Sequence, residues 1–207
     1  MNIGLIVAMT SEYEALQRAG IKGVRRSGIG KVSAARLATE MILTERPDCI
    51  INSGCAGALA PGMEVFDVVI GAQTAHHDVW CGEGNLPGQV QGLPQRFDAD
   101  PHLLSVARNL EYDHGMHVGL VCTGERFFVS PEEDAAVLAN FPDALAVDME
   151  SAAIAQVCLH YGVPFLSIRL ISDVHTDAAT QKTSYASFWK DIGDSSYAIV
   201  RELLERL

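Results

Sequence analysis

An α/β fold is predicted by three features of the sequence. Short β-rich apolar runs alternate with segments of helical period, capping residues stand where one gives way to the other, and no repeat or low-complexity tract interrupts the series. The pattern is that of a sheet covered by helices on both faces. Ile3 to Met9 reads as a buried strand, and Ser11-Glu12-Tyr13-Glu14 has capping-box spacing that starts a helix through about Arg18. The turn Ser27-Gly28-Ile29-Gly30 precedes a helix over Lys31 to Leu43, where Val32, Ala35, Ala38, Met41 and Ile42 repeat at helical spacing. Cys49 to Asn52 and Val65 to Ile70 read as strands joined by a glycine-rich link over Ser53 to Gly57. Pro101 to Asn109 reads as a helix and His117 to Cys122 as a strand; Ser130-Pro131-Glu132-Glu133 opens another helix. Leu145 to Val147 and Pro164 to Ile171 are strands around a helix from Glu150 to Tyr161 closed by Gly162, and a last helix is expected from about Ser184 to Leu207. The glycine- and proline-rich stretch from His76 to Arg96 lacks periodicity, so a long loop is expected there, a candidate lid or subunit contact.

Composition narrows the function. A chain of 207 residues, 48% apolar, is the size of one domain, expected over residues 1–207. The net charge of -11 and the absence of any Lys/Arg run longer than Arg25-Arg26 argue against a nucleic-acid partner, because such binding works by clustered cations displacing counterions. The longest apolar runs, about seven residues, fall far short of a membrane span, and Met1 leads straight into a strand pattern without a targeting segment; a cytoplasmic protein is expected. Cys49, Cys55, Cys81, Cys122 and Cys158 are scattered without metal-ligand spacing, which predicts neither a disulfide framework nor a metal site. The seven histidines show no ligand spacing either and read as solvated or packed side chains.

Ligands of α/β sheets gather beyond the carboxyl ends of the strands, so acids found there carry information. Glu12 follows the first strand, Glu150 follows Leu145 to Val147, and Asp173 follows Pro164 to Ile171. Each has a structural alternative: Glu12 and Glu150 as first-turn acids complementing a helix dipole, Asp173 as an N-cap.

The segments IGLIVAMTSEYEAL, SGIGKVSAA, IINSGCAGALAPG, TGERFF, AVDMESAAIAQVC and VPFLSIRLISD, in that order, resemble the methylthioadenosine/S-adenosylhomocysteine nucleosidases of the nucleoside phosphorylase superfamily. The resemblance implies a three-layer α/β/α fold around a mixed, twisted sheet, a homodimer, no cofactor, and a small nucleoside as substrate. It also implies roles. Splitting ribose C1′ from adenine N9 leaves an anionic base and a cationic sugar, so a proton must reach the base and negative charge must face the sugar. Asp173 matches the acid that protonates N7, which burial should keep protonated. Glu12 matches the base that deprotonates the attacking water, and Glu150 the carboxylate that accepts from the ribose hydroxyls. Met149 would pack on the ribose, Phe127 would stack on the purine and the Phe128 backbone would read its edge. Ser172 would brace Asp173, and Cys55, Ala56 and Gly57 would lie along the sugar and water path. Met9, Ile29 and Tyr185 would line the 5′-alkylthio pocket, and Arg169 would organise the water site.

The chain also departs from the family. Only about eight residues separate the first helix from Ser27, where the family has an extra hairpin, so a smaller sheet is expected. Cys55 stands in a serine's place, Arg126 interrupts an acid-small-Phe block, and the slightly short loop from His77 to Gly88 carries Trp80, all of which question the 5′ substituent. A phosphorylase needs arginines to hold phosphate; the corresponding places here hold Glu12 and Asn52, which favours hydrolysis. The alternatives are a futalosine hydrolase-like enzyme, a nucleoside phosphorylase, and a nucleoside-binding module without turnover.

Overall fold

The apolar runs form the strands of one mixed sheet, and the amphipathic segments between them cover it on two sides. The computed structural model describes residues 1–175, 178–192 and 197–207. In chain order the elements are β1 (Ile3–Val7), α1 (Thr10–Arg18), β2 (Val24–Arg26), α2 (Lys31–Glu45), β3 (Cys49–Ala58), β4 (Val68–His76), β5 (Phe97–Asp98), α3 (Pro101–Ala107), β6 (Met116–Thr123), α4 (Pro131–Leu138), β7 (Ala144–Asp148), α5 (Ser151–Tyr161), β8 (Phe165–Val174), α6 (Ala178–Asp191) and α7 (Ala198–Arg206).

The sheet runs β2-β1-β3-β7-β6-β4-β5, and β8 pairs with both β3 and β4. Because β8 bridges them, β3, β7, β6, β4 and β8 close on one another in a ring, while β1, β2 and β5 extend it. On one side α2 and α5 bury Leu37, Met41 and Ile154; on the other α1, α3 and α7 bury Leu16, Leu103 and Leu203. This is the three-layer arrangement with a mixed sheet that the resemblance implies.

Several elements differ from the sequence reading. β1 stops at Val7, and the N-cap of α1 is Met9, so the capping acid is Glu12 rather than Glu14. The glycine-rich link is not a turn: Ser53 to Gly57 are strand residues of β3, held by parallel pairing with β8. The strand expected over Val65 to Ile70 starts at Val68 and continues to His76, and the short edge strands β2 and β5 lack the length to leave a pattern. The single final helix is two, α6 and α7; residues 193–196 of that stretch lie outside the described residues. Residues 77–96 carry no helix or strand, as expected, and Arg96 pins their end to Asp143 by two bonds of 2.6 and 2.8 Å.

A bulge on β8 shapes the site. Pairing steps from Ala56 opposite Ile171 to Gly57 opposite Asp173, which leaves Ser172 as the extra residue. Such a bulge re-aims side chains.

Candidate active site

Glu12 is buried at the third position of α1, and its two oxygens are divided between two elements. Oε2 accepts the backbone N–H groups of Ala8 and Met9, at 2.9 and 2.8 Å; Met9 is the N-cap, whose N–H the helix leaves unpaired. Oε1 accepts the N–H of Cys55 on β3, at 2.9 Å. The same carboxylate therefore caps the helix and faces the glycine-rich strand.

Arg169 on β8 is fully buried and lies behind this pair. Nη2 makes an ion pair with Asp148 at 2.6 Å and donates to Ser151 Oγ at 2.9 Å and to Asn52 Oδ1. Burial opposes charge on Arg169, but Asp148, Glu150 and Glu12 outweigh it and raise its pKa. Nη1 has no hydrogen-bond acceptor among the described residues and stands 3.8 Å from Glu150 Oε2. A β-carbon on Gly54 would lie 2.6 Å from Glu12 Oε1 and 2.7 Å from Arg169 Nη1, so only glycine admits both groups here.

Glu150 stands at the N-cap position of α5 without bonding that helix through its side chain, and its Oε1 accepts from Gly30 N at 3.0 Å, drawing in the turn before α2. Burial pushes its carboxyl up to about 8; Arg169 opposes the rise, and Asp148 and Glu12 add to it. That rise favours the protonated carboxyl, whereas the ribose role asks for an acceptor.

Asp173 is not a helix cap. It sits inside β8 and is buried, with Ser172 Oγ donating to Oδ1 at 2.5 Å and Gln181 Nε2 to Oδ2 at 2.9 Å. His175 Nε2 also lies 2.9 Å from Oδ2, while its Nδ1 is 2.7 Å from Asp134 Oδ1 on α4. Burial works against charge on His175, but the two carboxylates prevail and push the imidazole up to about 9. The sequence reading put the proton on Asp173 through burial alone; the structure surrounds that carboxyl with three donors.

These acids share one cavity of about 370 Å³. Met9, Glu12, Ile29, Cys55, Ala56, Gly57, Phe127, Phe128, Met149, Glu150, Ser172, Asp173 and Tyr185 all line it, and Arg169 does not; it acts from behind Glu12 and Glu150. Phe127 and Tyr185 meet edge to face at 5.1 Å, and Tyr185 Oη approaches Met9 Sδ at 3.9 Å. No residue of the 77–96 loop lines the cavity, so Trp80 does not reach it within this chain and the loop is no lid over it here.

Ala8, Arg126, Val147, Asp148 and His175 complete the wall without having been foreseen as lining. His175 had one readable signal: it follows Asp173 by two residues, and strand alternation puts such a pair on one face. Among the described residues no cluster of three or more His, Cys, Asp or Glu is arranged around a metal position.

The sequence model of the phosphorylase superfamily matches residues 19–205. The 5′-methylthioadenosine/S-adenosylhomocysteine nucleosidase of Haemophilus influenzae (strain 86-028NP) is 35% identical over 231 aligned residues, covering 100% of both chains. The chain belongs to this nucleosidase family of the phosphorylase superfamily. The solved nucleosidase of Neisseria meningitidis, bound to methylthio-immucillin-A, superposes with a TM-score of 0.88 at 36% identity, covering 99% of each chain. Helicobacter pylori futalosine hydrolase reaches the same TM-score of 0.88 at 25% identity, covering 99% of this chain and 98% of that one. Backbone shape therefore does not separate the two activities, and the side chains of the pocket must.

Within the nucleosidase frame, Cys55 keeps a donor on Glu12, its Sγ lying 3.4 Å from Oε1. Burial foremost, and then the charge of Glu12, hold that thiol well above its usual range, so it stays protonated. Arg126 turns outward, paired with Glu133 at 2.8 Å at the mouth of the cavity.

Proposed function

We propose that this chain hydrolyses the N-glycosidic bond of 5′-methylthioadenosine and S-adenosylhomocysteine, releasing adenine and the thioribose, with the whole chain acting as one catalytic domain. The observation that carries the reading is that Glu12 Oε1 and Arg169 Nη1, which has no hydrogen-bond acceptor among the described residues, both face the bare backbone of Gly54. A water molecule bound between them donates one proton to Glu12 while its oxygen is turned toward C1′. An ionised Glu12 at this place also repels a phosphate dianion, which disfavours phosphorolysis.

The sugar develops positive charge as the bond to N9 lengthens, and Glu12 and Glu150 lie on that side of the cavity. Ribose hydroxyls displace the proton from Glu150 and donate to it, which lowers its pKa as substrate binds. Asp173, braced by Ser172, faces the purine and mediates protonation of N7. Phe127 stacks on the base and the Phe128 backbone reads its edge, while Met149 packs on the ribose. Cys55, Ala56 and Gly57 line the sugar and water path. Met9, Ile29 and Tyr185 receive the apolar 5′ substituent.

Ile29 and Phe127 line the cavity yet are exposed, as are Val32 and Val129 close to them in the chain. Apolar exposure of this kind marks an interface, and a homodimer closing over the mouth would bury it. No described helix is long and apolar enough to cross a membrane; the proposed setting is the cytoplasm, in methionine salvage. The test is adenine release by chromatography from methylthioadenosine, with inosine and futalosine as competitors. Methylthioadenosine turns over fastest if the reading holds; preferential turnover of futalosine, or tight binding without turnover, contradicts it.

A further inference from the structure

Asp134, His175 and Asp173 form a line from the surface to the cavity wall. The side chain of Asp134 is 12% exposed, while those of His175 and Asp173 are 1% exposed. His175 joins the two acids at 2.7 and 2.9 Å, one through each ring nitrogen. A neutral imidazole has a single N–H and can donate to only one partner, whereas two carboxylate neighbours ask for two donors, which only the imidazolium supplies. The ring is seated for this. It lies against β3 so closely that a β-carbon on Gly57 would be 2.6 Å from Cε1, and Phe128 flanks it at 6.3 Å between ring centres. Among the described residues the charged groups facing the ring are Asp134 from α4 and Asp173 from β8; Gln181 of α6 adds an uncharged amide on Asp173.

We infer that His175 is a proton-supplying positioning residue, whose Nε2 proton is relayed through the Asp173 carboxylate to the purine leaving group, with Asp134 holding the imidazole in register and linking it to solvent. This rests on the nucleosidase reading and deepens it. The step balances: the C1′–N9 electron pair goes to the base, Nε2 of His175 gives its proton to the Asp173 carboxylate, and Asp173 hands a proton to N7. His175 is left neutral. The proton that water surrenders to Glu12 leaves to solvent, and His175 regains one past Asp134.

A histidine that merely packs would not tie turnover to its own titration. The rise of the imidazole to about 9 predicts that wild-type turnover of methylthioadenosine falls as pH passes that value. Asp134→Asn should bring the alkaline fall down by about 1 to 3 pH units, the usual effect of one close carboxylate, and lower the neutral-pH rate to the extent that the limb then reaches it. His175→Gln should lower kcat by about a hundredfold with little change in KM, in line with the loss of a positioned proton donor. The same variant should leave hydrolysis of 4-nitrophenyl riboside nearly unchanged, because that leaving group departs without a proton.

The imidazole itself, followed by NMR in the substrate-free protein, should titrate near 9 and move down in Asp134→Asn. That measurement does not depend on turnover, so it separates failure of the relay from failure of the nucleosidase reading, which shows first as absence of adenine release by the wild type. An ordinary histidine titration, an alkaline limb that Asp134→Asn does not move, or equal losses on both substrates in His175→Gln would overturn the proposal.

Discussion

Glu12 Oε1 receives both polar groups of Cys55, its backbone N–H at 2.9 Å and its thiol at 3.4 Å. A residue from the first helix and one from the central strand are thereby locked together. Gly54 is the neighbour that makes this contact possible, with φ at 148° and no side chain to intrude.

Gly54→Ala should damage both fold and function. Its β-carbon would press on Glu12 Oε1 and Arg169 Nη1 in a backbone conformation that alanine tolerates poorly. We expect a loss of about 1–3 kcal/mol in urea unfolding and a fall in adenine release larger than that loss of folded protein explains.

Arg169→Met should cost more. Asp148 keeps Thr123 and Ser151 as donors at 2.5 Å each but loses its buried cation. Removing one partner of such a pair typically costs about 3–5 kcal/mol. Adding Asp148→Asn should return part of that stability, which chemical denaturation of the single and double variants will measure; no recovery would mean that the pair is not what holds the network.

Stability should decline with alkaline pH. The folded-state pKa of His175, about 9, lies above its ordinary 6.5, so its contribution is complete below 6.5 and disappears as pH rises through 9. Glu150, raised from 4.5 to about 8, gives a loss of the same sign at lower pH. Urea midpoints across this range should fall for the wild type, and His175→Gln should flatten the part above pH 8. A midpoint that climbs over that part of the range would reverse the assignment.

The alternation of strands and helices was legible because it rests on period, and the three acids were legible because they end apolar runs. The residue pattern could not reveal that Ser53 to Gly57 form strand. Glycine lowers strand propensity, and its reason here is tertiary: Arg169, Glu12 and His175 press on that backbone from elements far along the chain. Asp134 likewise reads as a first-turn helix acid until α4 is packed against the end of β8. The edge strands β2 and β5, three and two residues long, exist only through their neighbours. The long loop was legible as a loop, but its place relative to the cavity was not, because that depends on where Lys31, Asp143 and Glu125 anchor it.

The central claim is that water, activated by Glu12, attacks a purine riboside held between carboxyl groups. Its most direct test follows the products from methylthioadenosine in ¹⁸O-labelled water, with and without added phosphate, for the wild type and Glu12→Gln. The account predicts adenine and a free thioribose labelled at C1, a rate indifferent to phosphate, and loss of about a hundredfold or more in Glu12→Gln with substrate binding retained. A phosphate-dependent rate yielding the sugar 1-phosphate, or full activity in Glu12→Gln, would contradict it.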